Sequence, residues 1–276
     1  MTADFPATGP QQAGPQQTFA STPAVTYESA GEALPGVLHL PAGDGPHPIV
    51  VLLHGFPGNE RNFDLAQALR RAGYAALVFH YRGSWGAGGS WSWTNLLEDA
   101  GNVVAAVREN PALDERRLAV VGHSAGGFAA LMTAAGDPDV SAVVSVSAFD
   151  FGAAAAAIRG DAAARAEYVE AWDAELLPLR GTSGEALVAE MEAAGTAWEL
   201  SALAPRLADR PVLLIGTSRD PVTPAEIYHT PLVKAYQQVE RLEQHVFPSD
   251  HALSDHRVTL ARTVVDFLGR HLRTAG

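Results

Sequence analysis

The chain has 276 residues, a formal net charge of −12 and a hydrophobic fraction of 47%. The length suits one large α/β domain as well as two small ones, and the acidic balance argues against nucleic acid and anionic membranes as partners. There is no cysteine, which excludes disulfides, thiolate metal sites and a cysteine nucleophile. The apolar runs are too short to span a bilayer, and the first residues lack the basic and apolar regions of a signal peptide, so a cytoplasmic protein is expected.

Residues 1–22 are rich in Pro, Gln, Gly, Ala and Thr without apolar periodicity and read as a disordered tail. Residues 25–27 and 33–40 read as an antiparallel hairpin at a sheet edge. Residues 48–53, Pro-Ile-Val-Val-Leu-Leu, are a continuous apolar run, the pattern of a parallel strand buried on both faces. The run ends in His54-Gly55-Phe56-Pro57-Gly58. A helix over 63–73, a strand over 74–79 and a glycine-rich loop over 80–90 follow. Residues 93–110 form an amphipathic helix with Leu96, Leu97, Ala100, Val103, Val104 and Val107 on one face, stopped by Pro111. The apolar run 118–122 leads into Gly122-His123-Ser124-Ala125-Gly126, then a helix over 126–135 and a strand over 140–146. This alternation predicts a mostly parallel sheet with helices on both faces. Helices over 153–157, 162–174 and 185–194 then make a segment too long for one crossover. Residues 151–203 are therefore read as a helical cap insertion, and residues 23–150 and 204–276 as the core. A strand over 211–216, a helix over 224–238 capped by Thr223 with Pro224 first, a strand over 244–247 and a helix over 254–273 complete the pattern.

Ser124 falls on a sharp turn between strand and helix that pushes its hydroxyl outward, and Gly122 and Gly126 leave room where a Cβ would clash. A serine hydroxyl is a poor nucleophile until a neutral imidazole takes its proton, and the imidazole needs a carboxylate to hold its tautomer. Asp220 lies just past one strand, in a loop stiffened by Pro221 and Pro224. His251 lies just past the last strand. Both stand at carboxyl ends of parallel strands, where open α/β sheets place their sites. The backbone N–H groups of Phe56 and Ala125 are the expected oxyanion donors. Asp150 is the rival acid. His256 is placed inside the final helix, His123 reads as a packed histidine, His54 as a brace of the oxyanion loop and Asp250 as a turn residue. Arg82 reads as bracing its loop rather than binding a substrate carboxylate. Trp85, Trp91, Trp93, Trp172 and Trp198 either line a pocket or fill the core; Trp85, Trp172 and Trp198 are the pocket candidates. No metal site is expected, since no His-x-x-x-His or Glu-x-x-His spacing falls near the strand ends.

Five segments together carry a family resemblance: His54-Gly55-Phe56-Pro57-Gly58, Tyr81-Arg82-Gly83-Ser84, Gly122-His123-Ser124-Ala125-Gly126-Gly127, Gly216 with Asp220, and the run from Asp250 to Asp255. From about residue 25 to 272 the chain resembles the serine hydrolases of the α/β-hydrolase fold. Within them it is similar to the dienelactone-hydrolase and prolyl-oligopeptidase-like branch and to cinnamoyl (feruloyl) esterases. The order Ser, Asp, His along the chain is that of the superfamily. The resemblance implies a Ser124-His251-Asp220 triad, acyl-enzyme chemistry and no cofactor; a small-molecule ester as substrate and a monomer or homodimer are expected. Prolyl-oligopeptidase relatives carry a large N-terminal propeller for which this chain has no room, which favours an esterase. An aminopeptidase or amidase using the same triad is the alternative; it would need an acid to hold a free amine, with Glu98 and the acids of the insertion as candidates. A non-catalytic receptor on this fold is the third reading, and the presence of all three triad residues counts against it.

Overall fold

The computed structural model describes residues 18–272. Among these, eight strands form one sheet in the order β1-β2-β4-β3-β5-β6-β7-β8. β1 (Ala24–Ser29) and β2 (Glu32–His39) pair antiparallel at one edge, and β2 joins β4 (Ala75–Phe79) antiparallel. From β4 onward the neighbours β3 (His47–Leu53), β5 (Leu113–His123), β6 (Ala142–Val146), β7 (Pro211–Thr217) and β8 (Arg241–Phe247) all run parallel.

The continuous apolar runs are explained by two separate cores. Successive side chains of a strand point to opposite faces. Val51, Leu53 and Val120 accordingly pack with α2 (Trp93–Val107), α3 (Ala125–Gly136) and the insertion, while Val50, Leu52 and Val121 pack with α1 (Phe63–Arg71) and α8 (Arg257–His271). The insertion is α4 (Phe151–Ala157), α5 (Ala162–Asp173), α6 (Gly184–Ala194) and two 3-10 segments, Gly195–Trp198 and Leu200–Leu207.

The sheet order sets the place of the site. From β3 the chain crosses to β4 on one side, then returns to β5 on the other. The ends of β3 and β5 are therefore adjacent where the chain reverses its direction across the sheet, the switch point at which open α/β sheets place their sites.

Several sequence expectations need correction. Residues 1–17 of the expected tail lie outside the described residues, but residues 18–22 are tied to the core: Ser21 pairs with Leu40, and the Thr18 hydroxyl donates to Asp44 at 3.0 Å. β5 begins at Leu113, ahead of the apolar run, and carries a register shift between Asp114 and Leu118, opposite Pro48 and Ile49. The expected helix over 224–238 shrinks to α7, His229–Ala235. Pro231 sets where it starts: in α7 it falls in the first turn, where a missing N–H is tolerated, whereas a helix started at Pro224 would carry it in its interior, without an N–H and against the carbonyl four residues back. Thr223, freed from capping, turns its hydroxyl to Asp220 instead. The last helix starts at Arg257, so His256 is its flanking residue rather than an internal one.

Candidate active site

Ser124 links β5 to α3 with φ 59° and ψ −123°, a conformation that non-glycine residues rarely adopt. The two flanking glycines make it sterically feasible. A Cβ on Gly122 would overlap the Gly126 carbonyl, and one on Gly126 would overlap the Leu53 carbonyl. The Ser124 N–H donates to the Val146 carbonyl at 2.9 Å, which pins the strained turn to β6. The first α3 bond runs from the Phe128 N–H to the Ser124 carbonyl. The Ala125 N–H therefore belongs to the helix-start donors that have no carbonyl partner in the helix, and they carry the positive end of its dipole.

The loop after β3 faces this turn. A Cβ on Gly55 would stand 2.9 Å from Ser124 Cβ and 3.5 Å from its Oγ. His54 is fully buried, and its Nδ1–H donates to the Gly55 carbonyl at 2.8 Å. The peptide unit is planar and trans, so holding the Gly55 carbonyl also sets the direction of the Phe56 N–H. Behind it, His80 Nδ1 lies 3.4 Å from His54 Nε2, and the Tyr81 hydroxyl donates to the His54 carbonyl at 3.3 Å. Burial, then the neighbouring His80, hold His54 down to a pKa of about 3, so it is a neutral brace.

At the other side of the nucleophile, His251 Nδ1–H donates to Asp220 Oδ2 at 2.7 Å. The Asp220 side chain is fully buried, while that of His251 keeps 21% of its surface. Oδ1 of Asp220 accepts the N–H groups of Val222 and Thr223 at 2.8 and 2.9 Å; Oδ2 accepts the hydroxyls of Thr217 and Thr223 at 2.9 and 2.6 Å. Burial alone would raise this carboxyl, but the His251 bond and charge and the Thr223 bonds outweigh it and hold its pKa well below the usual range. The His251 backbone is held too: His123 Nε2–H donates to its carbonyl at 2.7 Å. Burial and the facing His251 keep His123 neutral, with its pKa at about 3.

Asp150, the rival acid, is used elsewhere. It accepts the Ala153 N–H at 2.9 Å as the cap of α4 and the Leu200 N–H at 3.1 Å, tying two parts of the insertion together. Arg82 braces its loop: its Nε–H and backbone N–H donate to Asp99 at 2.6 and 2.7 Å, and Nη2 to Glu98 at 2.5 Å. Glu98 is thereby engaged, as are the insertion acids Glu185 and Glu192 with Arg165 and Glu190 with the N–H groups of Trp93 and Thr94. Asp250 accepts the Ser254 N–H in a turn, and His256 pairs with Asp255 and packs on the Phe247 ring.

The tryptophans separate by their surroundings. Trp172 on α5 meets Phe56 at 6.4 Å between ring centroids, along with Trp93 and Phe149. Trp198 packs on Phe128 and Phe151 within the core, and Trp91 and Trp93 are almost fully buried. Trp85 donates to the Pro57 carbonyl under the Arg61 guanidinium, which brackets the loop after β3. Sequence reasoning missed Phe149, Tyr168 and Tyr228. Phe149 sits just past β6 and donates its N–H to the Ser124 carbonyl at 3.4 Å, its ring is 5.2 Å from that of Tyr228, and the hydroxyls of Tyr168 and Tyr228 are 3.3 Å apart. Phe56, Trp172, Phe149, Tyr168 and Tyr228 thus form a chain of rings from the Phe56 loop to the acid loop. The signal was Phe149 at a strand end; the tyrosines carried none.

A mostly parallel sheet at whose switch point a strained serine, a glycine-lined loop and an Asp-His pair converge is the arrangement of the α/β hydrolases. The chain belongs to the alpha/beta hydrolase family, whose model matches residues 50–263. It is 33% identical over 131 residues to an uncharacterized 31.7 kDa Escherichia coli protein from the traX-finO intergenic region, covering 45% of this chain and 46% of that one. It is 32% identical over 134 residues to the quorum-quenching protein AidA of Acinetobacter baumannii, covering 46% and 44% of the two chains. The chain thus spans less than half the length of these curated relatives. Among solved structures, an esterase of Pyrococcus furiosus superposes with a TM-score of 0.69 at 18% identity, covering 92% of each chain. Est1E of Butyrivibrio proteoclasticus with ferulic acid bound gives 0.67 at 19% identity, covering 90% of this chain and 99% of that one. These structural likenesses are of fold.

Proposed function

We propose that this hydrolase cleaves carboxylic esters through an acyl-enzyme, with Ser124 as nucleophile, His251 as base and then acid, and Asp220 as its partner. The observation that carries the reading is the 2.7 Å bond from His251 Nδ1 to the buried Asp220, with the His251 carbonyl held by His123, the residue before a serine on a strained turn. That bond leaves Nε2 as the lone-pair nitrogen of a neutral ring, the form a general base needs. His251 takes the Ser124 proton as Oγ attacks the ester carbonyl. The oxyanion forms against the N–H groups of Phe56 and Ala125, each worth about 3 kcal/mol by analogy with measured oxyanion donors. His251 then protonates the leaving alkoxide, and water repeats the sequence on the acyl-enzyme. The rings of Phe56, Trp172 and Phe149 suit an uncharged acyl group, aromatic ones included. Residues 151–203, which supply Trp172 and Tyr168, act in this reading as the cap.

The test is a panel of p-nitrophenyl esters, methyl cinnamates and aminoacyl p-nitroanilides with wild type and Ser124→Ala. Ester turnover that disappears in the variant is the expected result. Turnover surviving Ser124→Ala, or none with any ester, overturns the reading, and faster anilide than ester turnover replaces it with an amidase.

A further inference from the structure

The Asp220 carboxylate holds more donors than an orienting role for His251 requires. Oδ2 alone accepts from three side chains: His251, Thr223 and Thr217. Thr217 ends β7, and its hydroxyl also lies 3.0 Å from the Ser147 hydroxyl at the end of β6. The direction of this chain follows from valence. A carboxylate only accepts, so the single Thr217 hydroxyl hydrogen goes to Asp220, and Ser147 must donate to Thr217. Ser147 is buried and held at φ 45°, and its N–H is spent on the Ile215 carbonyl at 2.7 Å. A serine kept in that unfavourable backbone region, with its hydroxyl aimed at Thr217, marks a position that its surroundings over-determine.

We propose that Thr217, backed by Ser147, is a positioning residue that competes with His251 for Asp220 Oδ2 and so tempers the pull of the carboxylate on the imidazole. The proposal rests on the triad reading above. The physical consequence has a definite sign. Each further donor on Oδ2 withdraws negative charge from the bond to His251 and stabilises the imidazolium less. Removing one of these donors is therefore expected to tighten the bond from Asp220 to His251 and to favour the imidazolium. A chain of donating hydroxyls polarises along its length, so Ser147 strengthens the Thr217 donor.

The other titratable and charged groups around the pair do not take this role. His123 on β5 donates to the His251 carbonyl and faces the His251 ring at 4.8 Å between centroids, with no bond to Asp220. Arg257 at the start of α8 is paired with Asp64 at 2.6 Å. Asp250 turns to the Ser254 N–H. His229 on α7 lies against Gly216, across a small cavity that Thr223 and Ser147 also line, and Tyr228 bonds Tyr168. Among the described residues, the side chains that donate to Asp220 are Thr217, Thr223 and His251.

The experiment compares wild type with Thr217→Val, Thr217→Ser and Ser147→Ala by two readouts. The first is the pH profile of kcat/KM with p-nitrophenyl acetate. The second is the low-field proton resonance of His251 Nδ1–H, assigned by its loss in His251→Gln. In Thr217→Val the acid limb is expected to move up by about half a pH unit, a roughly threefold loss on the acid side. Its Nδ1–H resonance is expected to move downfield as the bond to Asp220 tightens. Ser147→Ala is expected to move both in the same direction by less, and Thr217→Ser to keep both at the wild-type position. A folded Thr217→Val with neither the limb nor the resonance moved overturns the proposal, as does a change in plateau rate alone. If Thr217→Val fails to fold, Ser147→Ala decides by the same criteria. Absence of ester turnover in wild type would defeat the esterase reading, while the resonance would still decide whether Thr217 competes for Oδ2.

Discussion

Gly55 faces Ser124 with no room for a side chain: a Cβ there would lie 2.9 Å from Ser124 Cβ and 3.0 Å from the His123 carbonyl. The loop after β3 and the turn after β5 are thus fitted to each other at van der Waals range, and the Phe56 N–H is aimed by that fit. Gly55→Ala is expected to push the loop back by a few tenths of an ångström and lower kcat at least about tenfold, since a displaced oxyanion donor loses most of its contribution. Gly101→Ala is the control. Gly101 lies in α2 with nothing within 4 Å of the added carbon, so it is expected to keep activity and gain about 0.5–1 kcal/mol of stability from better helix propensity. Steady-state kinetics and thermal unfolding of both variants check this.

The two acids at neighbouring strand ends separate cleanly by mutation. Asp220→Asn keeps the shape but cannot hold the His251 tautomer, so kcat is expected to fall about 10⁴-fold. Asp150→Asn removes charge from a helix cap and is expected to leave kcat within about threefold while costing roughly 1 kcal/mol. A larger kinetic loss in Asp150→Asn than in Asp220→Asn would reverse the assignment.

Trp172 joins the insertion to the Phe56 loop. Trp172→Ala is expected to cost kcat/KM for phenylpropionyl esters about tenfold more than for acetyl esters, because an aromatic contact is worth about 0.5–1.5 kcal/mol beyond its buried area. Equal losses for the two esters would place Trp172 in packing alone.

Acid should unfold this protein through its buried imidazoles. His54 and His123 are held neutral down to about pH 3, and His80 to about pH 4, in each case first by burial. In the unfolded chain a histidine protonates near pH 6.5. Between those limits the unfolded state binds more protons, so stability is full above about pH 6.5 and falls as pH drops. The slope is roughly 1.4 kcal/mol per pH unit for each fully buried ring. Urea titrations at pH 7.5 and 5.0 are expected to show that loss, and His123→Gln, which can still donate to the His251 carbonyl, is expected to shrink it. An equal midpoint at both pH values would refute it.

Arg82 and Asp99 form a buried pair in which the Asp99 side chain is fully enclosed. Asp99→Asn leaves the guanidinium short of its countercharge and is expected to destabilise by about 3 kcal/mol. Glu98 is half-exposed, so Glu98→Gln is expected to cost under about 1 kcal/mol. Chemical denaturation separates the two.

What the sequence determined by itself is whatever depends on near neighbours in the chain. An apolar run, Gly-x-Ser-x-Gly and a small-residue helix leave Ser124 one feasible backbone conformation. Both-face apolar strands announce a parallel sheet, and Asp220 and His251 stand out as polar residues just past such strands. Pro231 was equally legible as a residue of a first turn, and it outweighed the start signal of Thr223-Pro224 because a proline in a helix interior costs more than a cap contributes.

The tertiary structure alone decided which groups meet. Asp150 and Asp220 both follow strands, but β8 pairs with β7 and not with β6, and that pairing brings His251 to Asp220. Trp172 and Trp198 have the same side chain, and packing sent one to the Phe56 loop and the other against Phe128. Ser147 and Thr217 are 70 positions apart, so no local pattern could show that their hydroxyls line up behind Asp220. Strand order and side-chain packing are settled by contacts between distant segments, and their free energy is not written in any one stretch of the chain.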